Sequence, residues 1–318
     1  MNHKLLPHHG PEIGRVAQMA RDVAYLQLSL VNVFFIGKPQ AGDRAWVLVD
    51  AGMPTSGPAI AREAARRFGR GARPSAILLT HGHFDHRGAL KELAELWDVP
   101  VYAHRLEAPY LTGRSDYPPP DPTVGGGAIA RFASRTFPRR SIDVGSRLQL
   151  LPEDGSVPGL PDWRWIHTPG HSPGHVSFFR DEGRVLIAGD AFVTMRQESA
   201  LAALTRKQEV WRPPAYFTPD WQAARASVRT LASLDPEVAG TGHGVPMSGG
   251  RLRDGLHDLA DHFDDYMPTD GRYVRAPALA DESGVYRIPP ARFDPLPPVL
   301  VTAGLVALLG RRLLRGHA

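Results

Sequence analysis

Residues 80–90 read THGHFDHRGAL and crowd His81, His83, Asp85 and His86 into one short stretch. They follow the apolar run AILLT at 76–80 and precede the amphipathic pattern RGALKELAELWD at 87–98. The loop between them therefore sits at the carboxyl end of a buried strand. Histidines at i and i+2 can point the same way from an extended loop, while Asp85 and His86 can point to a neighbouring spot. Neutral imidazole and carboxylate are the usual ligands of borderline divalent metals. Two adjacent groups of such ligands suggest two metals. The bland alternative, a polar loop beside a helix start, would bury unpaired histidines and a carboxylate at a cost to folding.

More residues of ligand type occupy similar places downstream. HTPGHSPGH contains His167, His171 and His175; VLIAGDAF ends an apolar strand on Asp190; AGTGHGVP places His243 after another. Each sits beside a glycine, which allows close backbone approach. The chain has no cysteine, so disulfides, thiolate metal sites and cysteine nucleophiles are excluded. Any metal must be held by His, Asp, Glu or water.

These residues need strands and helices to position them. Residues 25–37 read as one or two strands, and 45–52, 76–80 and 99–104 as short buried ones; 56–69 and 87–98 read as helices. Residues 114–140, rich in Pro and Gly, form a long loop of the kind used as a lid or substrate-binding segment. The middle turns β-rich, with a hairpin at VSFFRDEGRVLIAGD, and helices follow at 220–236 and 250–267. Buried strands separated by helices suggest sheets covered by helices, in two similar halves.

Composition narrows the class. The chain has 318 residues, 42% of them hydrophobic, and a net charge of +4 carried mostly by scattered arginine. The basic patches lack interleaved aromatics, which argues against nucleic acid as a partner. The N-terminal residues show no signal-peptide pattern, so a cytoplasmic location is expected. The apolar run Pro298–Gly310 is too short to span a bilayer and is expected to dock as a helix, with a peripheral membrane or partner contact as the alternative.

Taken in order, His81, His83, Asp85, His86, His171, Asp190 and His243 make the chain resemble the metallo-β-lactamase-fold hydrolase superfamily over roughly residues 25–265. The resemblance implies an α+β fold, an αβ/βα four-layer sandwich of two mixed β-sheets packed face to face with helices on the outer faces. A metal-binding domain over 1–270 and a C-terminal extension over 271–318, docked on it, are expected. The resemblance implies that His81, His83 and His171 hold one metal, that Asp85, His86 and His243 hold a second, and that Asp190 bridges them. Asp50, ending VLVDAG, would orient a ligand histidine. His167 and His175 lie outside the pattern and are expected to be packed or hydrogen-bonded structural residues. His104, His257 and His262 have no such context, nor do His8, His9 and His317.

The implied activity is a dinuclear, zinc-dependent hydrolase, with iron or manganese as possible substitutes. A metal-bridging hydroxide would attack the carbonyl of an ester, lactone or thioester, with Asp85 and Asp190 orienting it and carrying a proton. The partner would be a small-molecule substrate, and a homo-oligomer is possible. A mononuclear-iron sulfur dioxygenase of the same fold is the alternative. Lactonases of the superfamily frequently carry a Tyr a few residues after the bridging aspartate; Val193 stands there in this chain. Trp211, Tyr216 and Phe217 are candidates to line the substrate pocket.

Overall fold

The computed structural model describes residues 14–29, 31–125, 128–196, 198 and 207–292. The apolar run at 298–310, together with His8, His9 and His317, lies outside the described residues.

The first sheet has seven strands in sequence order: β1 Val16–Ala20, β2 Val23–Leu28, β3 Val31–Ile36, β4 Val47–Val49, β5 Ala76–Leu78, β6 Val101–Ala103 and β7 Leu148–Leu150. The first four pair antiparallel, and β4 through β7 pair parallel. The second sheet has six strands in the order β13–β12–β11–β10–β9–β8. These are β8 Ser156–Val157, β9 Leu160–His167, β10 Val176–Arg180, β11 Val185–Ile187, β12 Val238–Gly240 and β13 Met247–Ser248. Only β11 and β12 pair parallel there. Both sheets are therefore mixed.

Strand alternation builds the layers. In β4, Val47 and Val49 face the second sheet while Leu48 faces outward. In β10, Val176 and Phe178 face inward and Phe179 outward. Phe34, Val49 and Leu78 meet Val176, Phe178 and Ile187 in the core between the sheets. Outside the first sheet, helices Gly57–Phe68 and Leu90–Trp97 lay Ile60, Phe68, Leu90 and Leu93 against Phe35 and Leu48. Outside the second, helices Trp221–Ser233 and Gly250–Asp261 lay Val228, Leu231, Leu252 and Leu256 against Phe179 and Leu186. This is the four-layer αβ/βα sandwich that the resemblance implies.

The apolar stretch 25–37, read as one or two strands, is two, turned at Ser29, whose φ is 60°. Two local features differ from the sequence reading. The helix after the histidine loop starts at Leu90 rather than Arg87. Gly88 is held by its N–H on the Gly52 carbonyl at 2.7 Å, and a Cβ there would stand 2.3 Å from the Met53 carbonyl carbon. Strand β7 joins the first sheet as its edge, not the β-rich block that follows it in sequence.

Residues after 270 pack on the segment around 115–121. The Arg272 N–H donates to Asp121 Oδ2 at 2.6 Å, the Tyr273 hydroxyl to the Pro119 carbonyl at 2.6 Å, and the Val285 N–H to Ser115 Oγ at 3.1 Å. A two-stranded ribbon follows, β14 Leu279–Asp281 and β15 Gly284–Arg287. Among the described residues no helix is long and apolar enough to cross a membrane.

Candidate metal centre

The loops at the ends of β5, β9, β11 and β12 meet at one edge of the sandwich. They bring His81, His83, Asp85, His86, His171, Asp190 and His243 together. Three groups form, each with one ligand atom per residue within 4.8 Å of the others: His81, His83 and His171; His81, His86 and Asp190; Asp85, His86 and His243. His83 Nδ1 lies 2.9 Å from His171 Nε2. Asp190 stands between the groups. Its Oδ2 is 3.4 Å from His171 Nε2 and 3.2 Å from His243 Nε2, and its Oδ1 is 3.6 Å from His86 Nε2. Asp85 Oδ2 is 3.4 Å from His243 Nε2.

Electrostatics divides the cluster. Burial, and then the neighbouring imidazoles, push His81, His83 and His171 well below the usual histidine range. Burial would also lower His86, but the carboxylates of Asp190, Asp85 and Asp50 hold it well above that range. Burial opposes the charge on His243 as well, yet Asp190 and Asp85 carry it up to about 10. Asp190 is held well below the carboxylate range by His243 and His86 despite its burial.

The residues fit a bound metal. His81 Nε2, His86 Nε2 and Asp190 Oδ1 are buried and make no hydrogen bond. Leaving such atoms unpaired costs about 1–3 kcal/mol each, so native structures rarely keep them without a ligand. Gly242 leaves the space open: a Cβ there would stand 2.0 Å from Asp190 Oδ1 and 2.5 Å from His86 Cε1.

Supporting residues fix this geometry. Asp50, fully buried at the end of β4, has Oδ2 at 2.9 Å from His86 Nδ1 and takes the N–H and hydroxyl of Thr80, each at 2.8 Å. His175 makes a relay rather than facing the cluster. Its Nε2 accepts the Asp190 N–H at 2.9 Å, so its Nδ1 carries the proton, 2.9 Å from Thr168 Oγ1. Thr168 continues at 3.0 Å to Ser177 Oγ, which donates to the Ala188 carbonyl at 2.9 Å. His167 is outside the cluster, with Nε2 2.9 Å from the Pro173 carbonyl and its ring stacked on His104 at 4.3 Å. His257 and His262 lie on the surface of the last long helix, near Asp235 and Asp258.

The sequence reading missed two residues that place the ligand loops. Glu107 is buried and accepts from the Gly82 N–H at 2.8 Å, Ser172 Oγ at 2.7 Å, the Gly174 N–H at 2.9 Å and the Tyr117 hydroxyl. It thereby ties the loop of His81 and His83 to the loop of His171. Burial pushes its carboxyl up, against the pull of these hydrogen bonds. Asn32 of β3 donates through Nδ2 to the carbonyls of Thr241 at 2.8 Å and Gly244 at 2.6 Å, on either side of His243. A single Glu and a single Asn carry no local pattern that could flag them.

A cavity of about 240 Å³ opens over Asp85, His171, Asp190 and His243. Tyr216 and Phe217 line it, and Phe137 of the long loop joins them. Trp211 does not: it pairs by backbone with Val193 and lies against Tyr266 at 5.0 Å, with Arg196 over its ring. Val193 is buried and no part of the cavity wall.

Fold and site together are those of a metallo-β-lactamase-type metalloprotein. Residues 26–243 match the family model described as the metallo-beta-lactamase superfamily, and the chain belongs to that superfamily. It is similar to a Bacillus subtilis protein called probable metallo-hydrolase YflN, with 51% identity over 83% of this chain and 99% of that one. A second B. subtilis relative, probable metallo-hydrolase YybB, is 35% identical over 39% of this chain and 49% of its own length. Among solved structures, the Rm3 metallo-beta-lactamase covers 95% of each chain with a TM-score of 0.51 and 21% identity, a likeness of fold.

Proposed function

We propose that the protein is a metal-dependent hydrolase that cleaves an ester, lactone or thioester of a small molecule. In this reading His81, His83 and His171 hold one metal, Asp85, His86 and His243 hold a second, and Asp190 lies between them. Zinc is the metal favoured by this mix of imidazole and carboxylate, with iron or manganese able to replace it. The observation that carries the reading is the set of buried, unpartnered atoms, His81 Nε2, His86 Nε2 and Asp190 Oδ1, turned into one small space at the foot of a cavity.

A divalent metal held by these residues would supply Lewis acidity, polarising a carbonyl and lowering the pKa of water toward neutrality. The chain's own residues do the rest. Asp190 and Asp85 orient the attacking water, and Asp85, the partly exposed carboxylate of the two, takes up its proton. The water oxygen bonds to the carbonyl carbon, the bond to the leaving oxygen or sulfur breaks, and the proton passes to that leaving atom. His175 and Asp50 move no proton; they keep Asp190 and His86 in place. Belonging to a family with a 51% identical probable metallo-hydrolase supports hydrolysis as the reaction class.

The test is metal analysis of the purified protein followed by a panel of lactones, aryl esters, acyl thioesters, β-lactams and phosphodiesters. Two metals per chain with hydrolysis of one of the first three groups is expected. One iron per chain, with oxygen consumed on a persulfide, would overturn the reading in favour of a dioxygenase.

A further inference from the structure

The cavity above the cluster has two chemically distinct parts. Its floor is the polar set of Asp85, His171, Asp190 and His243. Most of the remaining lining is apolar: Val31, Met53, Phe84, Phe137 and Phe217, with Ser29 and Tyr216 adding hydroxyls. The three phenylalanines are contiguous: Phe84 lies 5.4 Å from Phe137, and Phe137 lies 5.9 Å from Phe217, ring centre to ring centre. Phe217 also stacks on His83 at 4.7 Å, so the aromatic wall runs down to the metal ligands. Phe84 and Phe137 remain partly exposed, leaving apolar surface for a ligand to cover.

No lysine or arginine lines this cavity among the described residues. Two nearby guanidinium groups are committed elsewhere. Arg87 donates to the carbonyls of Gly82 and Arg140; Arg212 pairs through Nη2 alone with Glu198 at 3.4 Å and is not part of the cavity lining. An anionic substituent remote from the scissile bond would meet phenylalanine and find no counter-charge, and losing its hydration there is costly. A hydrocarbon would bury the exposed rings and gain from it.

We propose that the substrate carries an uncharged, apolar acyl group or alkyl side chain, seated against Phe84, Phe137 and Phe217, next to the bond that is cleaved. This rests on the hydrolase reading above and narrows it. Multiply charged thioesters and phosphodiesters are then poor substrates, and uncharged aliphatic or aryl esters and lactones good ones.

The experiment uses the metal-loaded protein with p-nitrophenyl esters from acetate to octanoate and with γ-lactones bearing alkyl tails of matching length. A parallel series carries a terminal carboxylate on the acyl chain or tail. Expected is a rise in kcat/KM of about fourfold per methylene until the cavity is filled. A fall of about 100-fold or more is expected when the carboxylate is added. Phe137→Lys should reverse part of that discrimination by placing a cation in the wall, with metal content checked to show that the fold and centre are intact. Should Phe137→Lys not fold, Phe84→Lys puts the same question to the neighbouring ring. Hydrolysis that is flat with chain length, or faster on the carboxylate series, overturns this inference and leaves the hydrolase reading standing. No hydrolysis of any ester, lactone or acyl thioester of the panel by protein with full metal content overturns both.

Discussion

Asp50 Oδ2 lies 2.9 Å from Nδ1 of His86, and this contact decides which ring nitrogen faces the centre of the cluster. With Nδ1 donating to the carboxylate, Nε2 is left pointing at Asp190 without a partner. Carboxylates in this position raise ligand basicity and fix ring orientation. Asp50→Ala should weaken metal binding by about 10–100-fold, read by competition with a chromogenic chelator. Asp50→Asn tolerates the left-handed backbone at this position (φ 61°) and isolates the loss of charge. Unaltered affinity in both variants would remove Asp50 from the account.

Asp190 has a carboxylate oxygen within 3.6 Å of each of His86, His171 and His243. Asp190→Ala should abolish turnover and lower metal content together. Full activity at full metal occupancy would contradict the proposed chemistry.

His175 acts on Asp190 through the backbone. His175→Ala leaves the Asp190 N–H and Thr168 hydroxyl short of a partner inside the core, so stability should fall by about 1–3 kcal/mol in urea titrations. Metal stoichiometry at saturating metal should stay the same. Loss of metal with unchanged stability would make His175 a ligand instead.

Glu107 joins the two loops that carry His81, His83 and His171. Removing it strands several buried donors, so Glu107→Ala should cost about 3 kcal/mol or more and also weaken metal binding. Glu107→Gln, which keeps the shape but puts an amide N–H among donors, should fall between the two. Metal affinity equal to wild type in a destabilised variant would show Glu107 to be packing alone.

His104 gives a pH signature away from the metal centre. Burial, and next the stacked His167 and Arg105, lower its pKa to about 4. The unfolded chain protonates this residue near the ordinary value of about 6.5, so between the two values the unfolded state binds a proton that the folded state refuses. Its contribution is whole above about 6.5 and is lost as pH falls toward about 4. At about pH 5 the loss is about 2 kcal/mol. His104→Gln should therefore lose less stability than wild type between about pH 7 and about pH 5. Parallel pH profiles would refute the assignment.

Much of the layered fold was legible because its signals are local. Helices Gly57–Phe68 and Trp221–Ser233 fall within the stretches read from periodicity, and the hairpin of β10 and β11 turns at the Asp-Glu-Gly where it was expected. The clustered residues were legible because they fall in loops after strands, most of them beside a glycine. The resemblance to a known family then supplied their order. What was not legible depends on contacts distant in sequence. Glu107 is 65 residues from Ser172, and Asn32 is 209 from Thr241, so no window of sequence shows either pair. The aromatic wall was half visible: Tyr216 and Phe217 line it, whereas Trp211, of the same residue class, is drawn away by its backbone pairing with Val193.

The cluster draws its members from both sheets: His81, His83, Asp85 and His86 follow β5 of the first, while His171, Asp190 and His243 follow strands of the second. Any cation gripped by both sets acts as a rivet through the seam of the sandwich. Its binding energy adds to the cohesion of the two halves and raises the unfolding temperature with the logarithm of free metal. Metal supply would then govern the lifetime of the protein as well as its turnover.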